Sequence, residues 1–475
     1  MWVVSRAIAT ILLPLIIAAQ TVGTKQRTDL LRAVKVYIVD LPAEFNHGLV
    51  RRALELHKNG SVSNPGSSIR NIINYGLGAT IPRRQYGHES SPDDWYNTHQ
   101  FNLEMILHHK LLSHRVRTLD PLEADIFWVP YYPAFGAFFA VDPSYQRAAQ
   151  VLRHERGLLT WLEANGPKYH TERWRYVLPL GCVSHQFLVP LKDNWGSNLL
   201  AAEGLLGMNI VGIESMPGCS EVCWGGAVDA CTRRCHGVSG QLSVRSPLIG
   251  VPYPSFYHAL RGVGDAGDEY HNSPPWMGQD ARTILAAFIG EATHGQVTMP
   301  LRVSIIANCQ ARPAECFVAS AQSIENEIMS IIEVYRRSFF CLQPPGDTAT
   351  RRGIFDAIMC GCVPVLFSPD QLGGVGGFPL QYQYHLPRPA DLSILVPIEN
   401  QSNVLGYLSA IARDKGRMRL LQAALKEAAP MLQYAHPKDH CQLGGALSAA
   451  ARCEPDALDV LLRGLAEGLR EGRVA

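Results

Sequence analysis

A short run of glycine, hydroxyl and arginine residues is the part of the chain whose types and spacing best suit chemistry. The run GDTATRR extends from Gly346 to Arg352 and lies between an apolar segment and an amphipathic segment. A helix N-terminus offers unpaired backbone N–H groups, and guanidinium groups bind phosphate oxygens through two parallel hydrogen bonds. The run therefore predicts a site for a phosphorylated ligand.

The elements around this run predict where such a ligand would lie. The stretch from Ser338 to Ser368 reads as strand, turn, helix and strand, which in about thirty residues is the size of a βαβ unit. Ligands of open α/β sheets bind beyond the carboxyl ends of the strands. We therefore expect the phosphate groups near Gly346–Arg352 and near the loop after Phe288–Gly290.

Eight residues of the C-terminal half are candidates for binding this ligand. Three are arginines that could neutralise phosphates, one is a carboxylate that could accept ribose hydroxyls, and four belong to the two loops: Gly290, Arg302, Gly346, Asp347, Thr348, Arg351, Arg352 and Asp356. Adjacent helical residues project about 100° apart, so Arg351 is favoured over Arg352.

Five of these candidates also have an ordinary structural interpretation. Asp347 and Thr348 are expected to cap the helix, a role that can coexist with ligand binding. Asp356 could be an acid favoured by the helix dipole. In the same way, Arg302 and one arginine of the pair 351–352 could be surface residues.

The distribution of lysine excludes one class of phosphate site. No lysine occurs between Lys192 and Lys415, so the C-terminal half lacks the Gly-Lys-Ser/Thr sequence of a Walker-type loop. An anion there must be held by arginine, histidine or backbone N–H groups. The sequence therefore argues against an ATPase or a kinase.

Four segments carry a family resemblance. YRRSFFCLQPPGDTATRRGIFDAIMCGCVPVLF, residues 335–367, resembles the C-terminal signature of exostosin-like glycosyltransferases, and segments 34–46, 96–135 and 288–302 agree with the family in its order. The resemblance spans roughly residues 34–370. It implies a GT-B fold of two Rossmann-like, doubly wound domains facing a cleft. It further implies a nucleotide-sugar donor, a UDP-sugar above all, and inverting transfer to a glycan, polysaccharide or glycoprotein acceptor.

An inverting transfer needs a general base for the acceptor hydroxyl and charge stabilisation for the departing diphosphate. The candidate bases are Glu291 after the F-x-G strand, His185 after the strand VLPLG, and Asp40 after the first strand. Members of the family usually have an aspartate-containing loop where this chain has Gly181–His185. That departure leaves open a non-catalytic, glycan-binding or chaperone-like member of the fold.

No metal or cofactor is required by any visible motif, since the chain has no Asp-x-Asp triplet. Arginines and a helix dipole can stabilise the leaving diphosphate in a GT-B site. The histidines at 99, 108, 109 and 114 could suggest a metal site, but adjacent histidines cannot share one helix face, so a mixed helix is favoured. The aromatic run between Phe127 and Phe135 could stack on acceptor sugars or form core.

Composition indicates a globular α/β protein with two domains. The chain has 475 residues, 47% of them hydrophobic, and a net charge of only +1, so nothing points to nucleic acid as a partner. We expect an N-terminal domain at 34–261, a linker at 262–282, a nucleotide-sugar-binding domain at 283–435 and a tail at 436–475.

Apolar runs and helical spacing predict the elements of these domains. The expected strands are 34–39, 124–129, 176–180, 208–213, 283–289 and 394–398, beside those of the βαβ unit. The expected helices are 96–114, 326–335 and 401–433. Alternating strands and helices favour a doubly wound parallel sheet in each domain.

The N-terminus places the chain in the secretory pathway. Residues 1–24 contain an uncharged run whose apolar core is nearer in length to a signal peptide than to a full membrane span. The family resemblance instead favours an uncleaved signal anchor, with a single-pass type II protein whose catalytic part faces the Golgi lumen. Some family members act in pairs, so a glycosyltransferase hetero-complex is possible.

Twelve cysteines fit an oxidising compartment. The cluster at 219–235, C-x3-C…C-x3-C, is expected to form two disulfides, with a four-thiolate zinc site as the alternative. Two more pairs could form, Cys309 with Cys316 and Cys441 with Cys453. A third group lies in apolar context and is expected to be buried thiols: Cys341, Cys360 and Cys362.

Overall fold

The chain is represented by a computed structural model. The structure describes residues 34–58, 72–81, 94–138, 147–187, 197, 199–214, 248–260, 282–294, 297–320, 328–346, 348–368, 371, 382–386, 388–439 and 455–470. The N-terminal segment 1–24, the cysteine-rich insert 219–235 and Asp347 lie outside the described residues, as does the linker 262–282 apart from Arg282.

Six parallel strands form the first sheet. They are β1 Val36–Ile38, β2 Arg117–Thr118, β3 Ile126–Trp128, β4 Tyr176–Leu180, β5 Asn209–Gly212 and β6 Leu248–Gly250. Their order is β2-β1-β3-β4-β5-β6. The chain adds β2 on one side of β1 and all later strands on the other side, as in a doubly wound sheet. All five residues of β4 are buried, as expected where helices cover both faces of a parallel sheet.

Four helices of the first domain are described: α1 His47–Lys58, α2 Leu103–Ser113, α3 Pro133–Phe138 and α4 Arg147–Asn165. Helix α2 begins later than the predicted 96 because the preceding residues are extended. The backbone N–H of Tyr96 donates to Phe256 O at 2.8 Å, and that of Asn97 donates to Ala79 O at 2.8 Å. These long-range bonds compete with helix formation.

The second sheet contains five parallel strands. They are β7 Ile284–Ile289, β10 Cys316–Ala319, β11 Ser338–Leu342, β12 Val363–Leu366 and β13 Ile394–Leu395, in the order β10-β7-β11-β12-β13. A small antiparallel hairpin, β8 Thr293–His294 and β9 Val297–Thr298, follows β7. The predicted α/β architecture of two Rossmann-like units is therefore confirmed.

Five helices belong to the second sheet: α5 Pro300–Ala311, α6 Ile328–Arg337, α7 Arg352–Met359, α8 Val404–Arg413 and α9 Lys415–Leu432. The single helix predicted at 401–433 is in fact two helices, α8 and α9. Helix α8 ends before Asp414. The carboxylate of Asp414 accepts a 2.9 Å hydrogen bond from Arg417 N and so caps α9.

The segment 436–475, predicted as a tail, contains a buried helix, α10 Ala457–Arg470. Just before this helix, Asp456 forms a 2.7 Å ion pair with Lys110 of α2, and both side chains have no exposed area. Asp459 Oδ1 accepts a 3.3 Å hydrogen bond from Arg115 Nη2, and His114 Nε2 lies 3.3 Å from the same oxygen. The chain therefore returns to the first domain after completing the second.

The side chain of His385 joins the second domain to the start of α10. Its Nε2 donates a 2.9 Å hydrogen bond to Ala457 O, and burial lowers the pKa of His385 from 6.5 to about 4. The unfolded chain therefore binds a proton near pH 6.5 that the folded chain binds only near pH 4. This contribution to stability is present above pH 6.5 and is lost as the pH falls toward 4.

We expect the variant His385→Gln to lose less stability in acid than the wild-type protein. The glutamine amide can donate the same hydrogen bond but does not titrate. Between about pH 8 and pH 5 the loss of unfolding free energy should be smaller by about 2 kcal/mol. Urea unfolding of both proteins at the two pH values measures this difference. Equal losses of unfolding free energy in the two proteins would contradict the lowered pKa of His385.

Two disulfides are present among the described residues. Cys309 pairs with Cys316, as the sequence allowed. The prediction that Cys341 and Cys362 are thiols is wrong, because they form a disulfide between the neighbouring strands β11 and β12, with Cα atoms 5.7 Å apart. Cys360 is a buried free cysteine, as expected. The predicted pair Cys441–Cys453 lies outside the described residues.

The aromatic run after β3 belongs to the core. Phe127, Trp128 and Tyr132 have no exposed area, and Tyr131 and Phe135 are exposed by only 2% and 3%. The interpretation as core is therefore confirmed, and stacking of these rings on a sugar is excluded. Within the described part of the chain, no helix combines the length and apolar character needed to cross a membrane.

Candidate functional site

The predicted ligand-binding loops meet at one edge of the second sheet. Strands β7 and β11 are parallel neighbours, with Phe340 opposite Ala286 and Cys341 opposite Ala287. Their carboxyl ends therefore lie side by side. The loop 290–292 leaves β7 there, and the segment formed by residues 343–346 and 348–351 leaves β11 at the same edge and leads into α7. We call these two segments the donor loops.

Arg351 joins the two donor loops. Its backbone is extended (φ −165°, ψ 155°), and it is the residue immediately before α7. Its Nη2 donates a 2.9 Å hydrogen bond to Ile289 O, and its guanidinium carbon lies 6.0 Å from the ring centre of Phe288. The lack of a side chain at Gly290 makes room, since a Cβ there would lie 3.3 Å from Arg351 Nη2.

The other terminal nitrogen of Arg351 is one of two buried arginine Nη atoms without a hydrogen-bond partner among the described residues, the second being Nη2 of Arg352. Nη1 is buried and makes no hydrogen bond within the described part of the chain. Burial lowers the pKa of Arg351, because the charged form loses solvation. A buried cationic N–H between two loops is stabilised when it binds an anion. The charge-assisted hydrogen bond to the anion then replaces the lost solvation.

Arg302 holds the donor loops from the opposite side. It lies in the first turn of α5, and its Nη1 donates to Glu291 O at 3.2 Å. Its Nε and Nη2 donate to Pro345 O at 3.3 and 3.2 Å. A Cβ on Gly346 would lie 2.9 Å from Arg302 Nη2, so glycine permits this approach. The structure thus brings together four predicted residues, Gly290, Arg302, Gly346 and Arg351.

Thr348 does not cap α7, and that prediction is wrong. The residue at the N-cap position is Arg351, which makes no side-chain cap bond, and Thr348 lies three residues earlier. The Thr348 hydroxyl donates to Thr350 O at 3.1 Å, and the backbone N–H of Gly346 donates to Thr348 O at 3.0 Å. These bonds close the second donor loop on itself.

Arg352 and Asp356 contact the first domain. Arg352 Nη1 donates to Thr98 O at 2.7 Å, and its guanidinium carbon lies 3.6 Å above the ring of Phe256. Asp356 accepts from Arg352 Nε at 3.0 Å and from Phe256 N at 3.1 Å. Burial raises the pKa of Asp356 and outweighs the nearby arginines. Both oxygens of Asp356 are thus engaged within the protein, which leaves little capacity for ribose hydroxyls.

The three candidate bases occupy the carboxyl edges of the two sheets. Asp40 is exposed and follows β1, and His185 lies in the 3-10 helix Ser184–Phe187 after β4. Glu291 is half-buried in the first donor loop, where its carboxylate accepts a hydrogen bond from Ser320 Oγ. The two edges face each other, because the donor loop of β11 contacts the residue Glu214 that follows β5.

Glu104 and Glu214 are two of the buried carboxylates that the sequence analysis did not single out. Glu104, in the first turn of α2, accepts from the backbone N–H groups of Ala134, Phe135 and Gly181, at 2.8, 3.3 and 2.7 Å. Burial raises its pKa to about 8. The three hydrogen bonds to Glu104 hold the start of α3 and the residue that follows β4. The available signal for Glu104 was an acid among the apolar residues that begin the helical segment, and for Glu214 it was an acid directly after an apolar run.

Comparison with known proteins gives a family for the chain. The exostosin GT47 domain matches residues 30–408. The probable xyloglucan galactosyltransferase GT17 of Arabidopsis thaliana is 27% identical over 454 residues, which cover 92% of this chain and 84% of that protein. Xyloglucan galactosyltransferase MUR3 of the same plant is 24% identical over 484 residues, covering 94% and 68%.

Other similarities are narrower or weaker. The xyloglucan-specific galacturonosyltransferase 1 of Arabidopsis thaliana is 27% identical over 356 residues, which cover 74% of this chain but only 45% of that protein. A solved glycosyltransferase from Rickettsia africae ESF-5 has a TM-score of 0.32 and 9% identity, covering 92% of this chain and 98% of its own. We draw no argument from that last likeness. The exostosin match extends across both sheets, and the chain belongs to the exostosin GT47 family of glycosyltransferases.

Proposed function

We propose that the protein transfers a sugar from a UDP-sugar to a polysaccharide acceptor, with inversion at the anomeric carbon. The observation that carries this proposal is Arg351, a buried guanidinium with an unbonded Nη1 where two donor loops meet. The departing nucleoside diphosphate is the group whose negative charge such a cation would stabilise. Arg302 and the N-terminus of α7 lie at the same sheet edge and add to this stabilisation.

The charge stabilisation in this proposal needs no metal ion. Arg351 and Arg302 supply two cations, and the fork of Arg351 is already oriented by Ile289 O. Preorganised cations of this kind stabilise a leaving diphosphate without reorganisation during the reaction. The test is binding of UDP in the presence and absence of a chelator.

The general base is best sought on the first sheet. Inverting displacement places the acceptor hydroxyl on the side of the donor sugar opposite the diphosphate, and the base must reach that hydroxyl. Asp40 and His185 lie on the edge that faces the donor loops. Glu291 lies in a donor loop, and its backbone carbonyl binds Arg302, so it is better placed to contact the donor sugar.

The relatives suggest a first choice of substrates. Two are named xyloglucan galactosyltransferases, one of them as probable, and a third is named a xyloglucan-specific galacturonosyltransferase. We therefore include galactose and galacturonic acid as donor sugars and a xyloglucan-type polysaccharide as acceptor. The Golgi membrane is the proposed location, with residues 1–24 as a type II signal anchor and a second glycosyltransferase as a possible partner.

The first experiment measures the thermal unfolding of the full chain, purified in mild detergent, with UDP, GDP and ADP. UDP at about a hundred times its dissociation constant should add about 2.7 kcal/mol to the free energy of unfolding. We expect a shift with UDP that survives the chelator, and then transfer from UDP-galactose or UDP-galacturonic acid to xyloglucan oligosaccharides. Folded protein that responds to no nucleotide would favour a non-catalytic, glycan-binding member of the fold.

A further inference from the structure

A buried carboxylate of the first domain reaches into the donor loops. Glu214 lies two residues beyond the end of β5 and has no exposed area. Its Oε1 accepts a 2.9 Å hydrogen bond from the hydroxyl of Tyr253, which follows β6 in the same domain. The same oxygen accepts a hydrogen bond from Thr350 Oγ1, on the donor loop of β11. One oxygen atom therefore joins the carboxyl edges of the two sheets.

Tyr382 supports the same link from the second domain. Its hydroxyl donates to Ile213 O at 2.9 Å and lies 3.0 Å from Thr350 Oγ1. Its ring packs edge-on against Phe355 of α7, with ring centres 5.3 Å apart. Burial and then the charge of Glu214 raise the pKa of both Tyr253 and Tyr382, so both phenols stay protonated.

The hydrogen bonds with Glu214 and Tyr382 hold Thr350, the residue that precedes Arg351. Thr350 is bonded directly to Arg351, whose extended backbone aims its guanidinium at Ile289 O. Holding the Thr350 side chain therefore limits the rotation that would swing Arg351 away from the other donor loop. Burying a carboxylate is costly unless its hydrogen bonds are made, and Glu214 receives them from both domains.

We propose that Glu214 is a positioning residue for donor binding, acting through Thr350 on Arg351. The proposal rests on the proposed function, since it presumes that Arg351 faces a nucleoside diphosphate. Glu214 itself does not touch the donor. Both domains therefore contribute to the donor site, because a residue that follows a strand of the first sheet orients a loop of the second domain.

The test compares UDP binding by four variants of the full chain, measured by calorimetry on protein whose folding is checked by circular dichroism. Thr350→Val is nearly isosteric and removes the hydroxyl, and Glu214→Ala removes the acceptor. Each should weaken UDP binding about tenfold or more, the effect of losing a hydrogen bond to a charged group. Glu214→Gln keeps an acceptor oxygen and should bind UDP within about threefold of the wild-type protein.

Tyr253→Phe is the matched control. It removes the hydrogen bond from Tyr253 to Glu214 but leaves the bond to Thr350, so it should lower the unfolding temperature and leave UDP affinity unchanged. Wild-type affinity in Thr350→Val would overturn the inference, and so would an equal loss of affinity in Tyr253→Phe. Failure of the wild-type protein to bind UDP would instead overturn the proposed function. Thr350→Val decides the question even where Glu214→Ala does not fold.

Discussion

The variant Arg351→Ala should bind UDP about 10 to 150 times more weakly than the wild-type protein. The change removes a cationic N–H donor, Nη1, which is buried without a partner at the junction of the donor loops. A hydrogen bond to a charged group contributes about 1.5–3 kcal/mol, which corresponds to that range of affinity. Isothermal titration calorimetry at fixed ionic strength measures the effect.

Two further variants show whether the geometry or the charge of Arg351 is responsible. Arg351→Lys keeps a positive charge but loses the planar fork that reaches Ile289 O, so its affinity should fall between those of the alanine variant and the wild-type protein. Arg337→Ala removes a half-exposed arginine whose nearest carboxylate, on Glu333, is 3.8 Å away, and it should bind UDP normally. Unchanged affinity of a folded Arg351→Ala variant would remove this residue from the donor site.

The variant Lys110→Met should lower the free energy of unfolding by about 3–5 kcal/mol. Lys110 and Asp456 form a 2.7 Å ion pair with no exposed side-chain area on either partner. Removing the ammonium group leaves a buried, uncompensated carboxylate, which is the costly way to break such a pair. The change also removes a 2.8 Å hydrogen bond from Nζ to Ala435 O. Equilibrium unfolding in urea measures the loss.

Lys168→Met is the matched control for this prediction. Lys168 is 3.6 Å from Glu172, and both side chains are about one-third exposed, at 35% and 29%. A solvent-exposed pair contributes about 0–1 kcal/mol, so this variant should unfold almost as the wild-type protein does. The double variant Lys110→Met/Asp456→Asn should be less destabilised than Lys110→Met alone, since no buried charge remains. Similar small losses for Lys110→Met and Lys168→Met would contradict the buried pairing of α2 with the segment before α10.

Local order along the chain could be read from the sequence. The apolar run 176–180 is β4 to the residue, and the strand, turn, helix and strand between Ser338 and Ser368 are present. Such features depend on apolar periodicity and turn chemistry, which neighbouring residues determine. The choice of Arg351 over Arg352, by contrast, assumed that both residues are helical, whereas Arg351 precedes α7 with an extended backbone, so its role in ligand binding stays a prediction.

The sequence predictions were wrong where the bonding partner of a residue lies in another segment of the chain. Cys341 and Cys362 looked like buried thiols because each stands in an apolar run, yet the pairing of β11 with β12 places them side by side. The region 96–102 was expected to begin a helix, but the backbone N–H groups of Tyr96 and Asn97 bond to Phe256 O and Ala79 O instead. A single sequence carries no information about such partners.

The sequence by itself determined the family and the parallel α/β architecture, and it located the two loops that we propose bind the donor. Each of these depends on a contiguous stretch of residues whose spacing is visible along the chain. The tertiary structure alone decided that Arg352 and Asp356 join the domains and that the segment before α10 pairs with α2. It also decided that Glu214 holds Thr350 across 136 positions of sequence. The physical reason is that a buried charge is stable only where its partners lie in space, and folding brings those partners from remote parts of the chain.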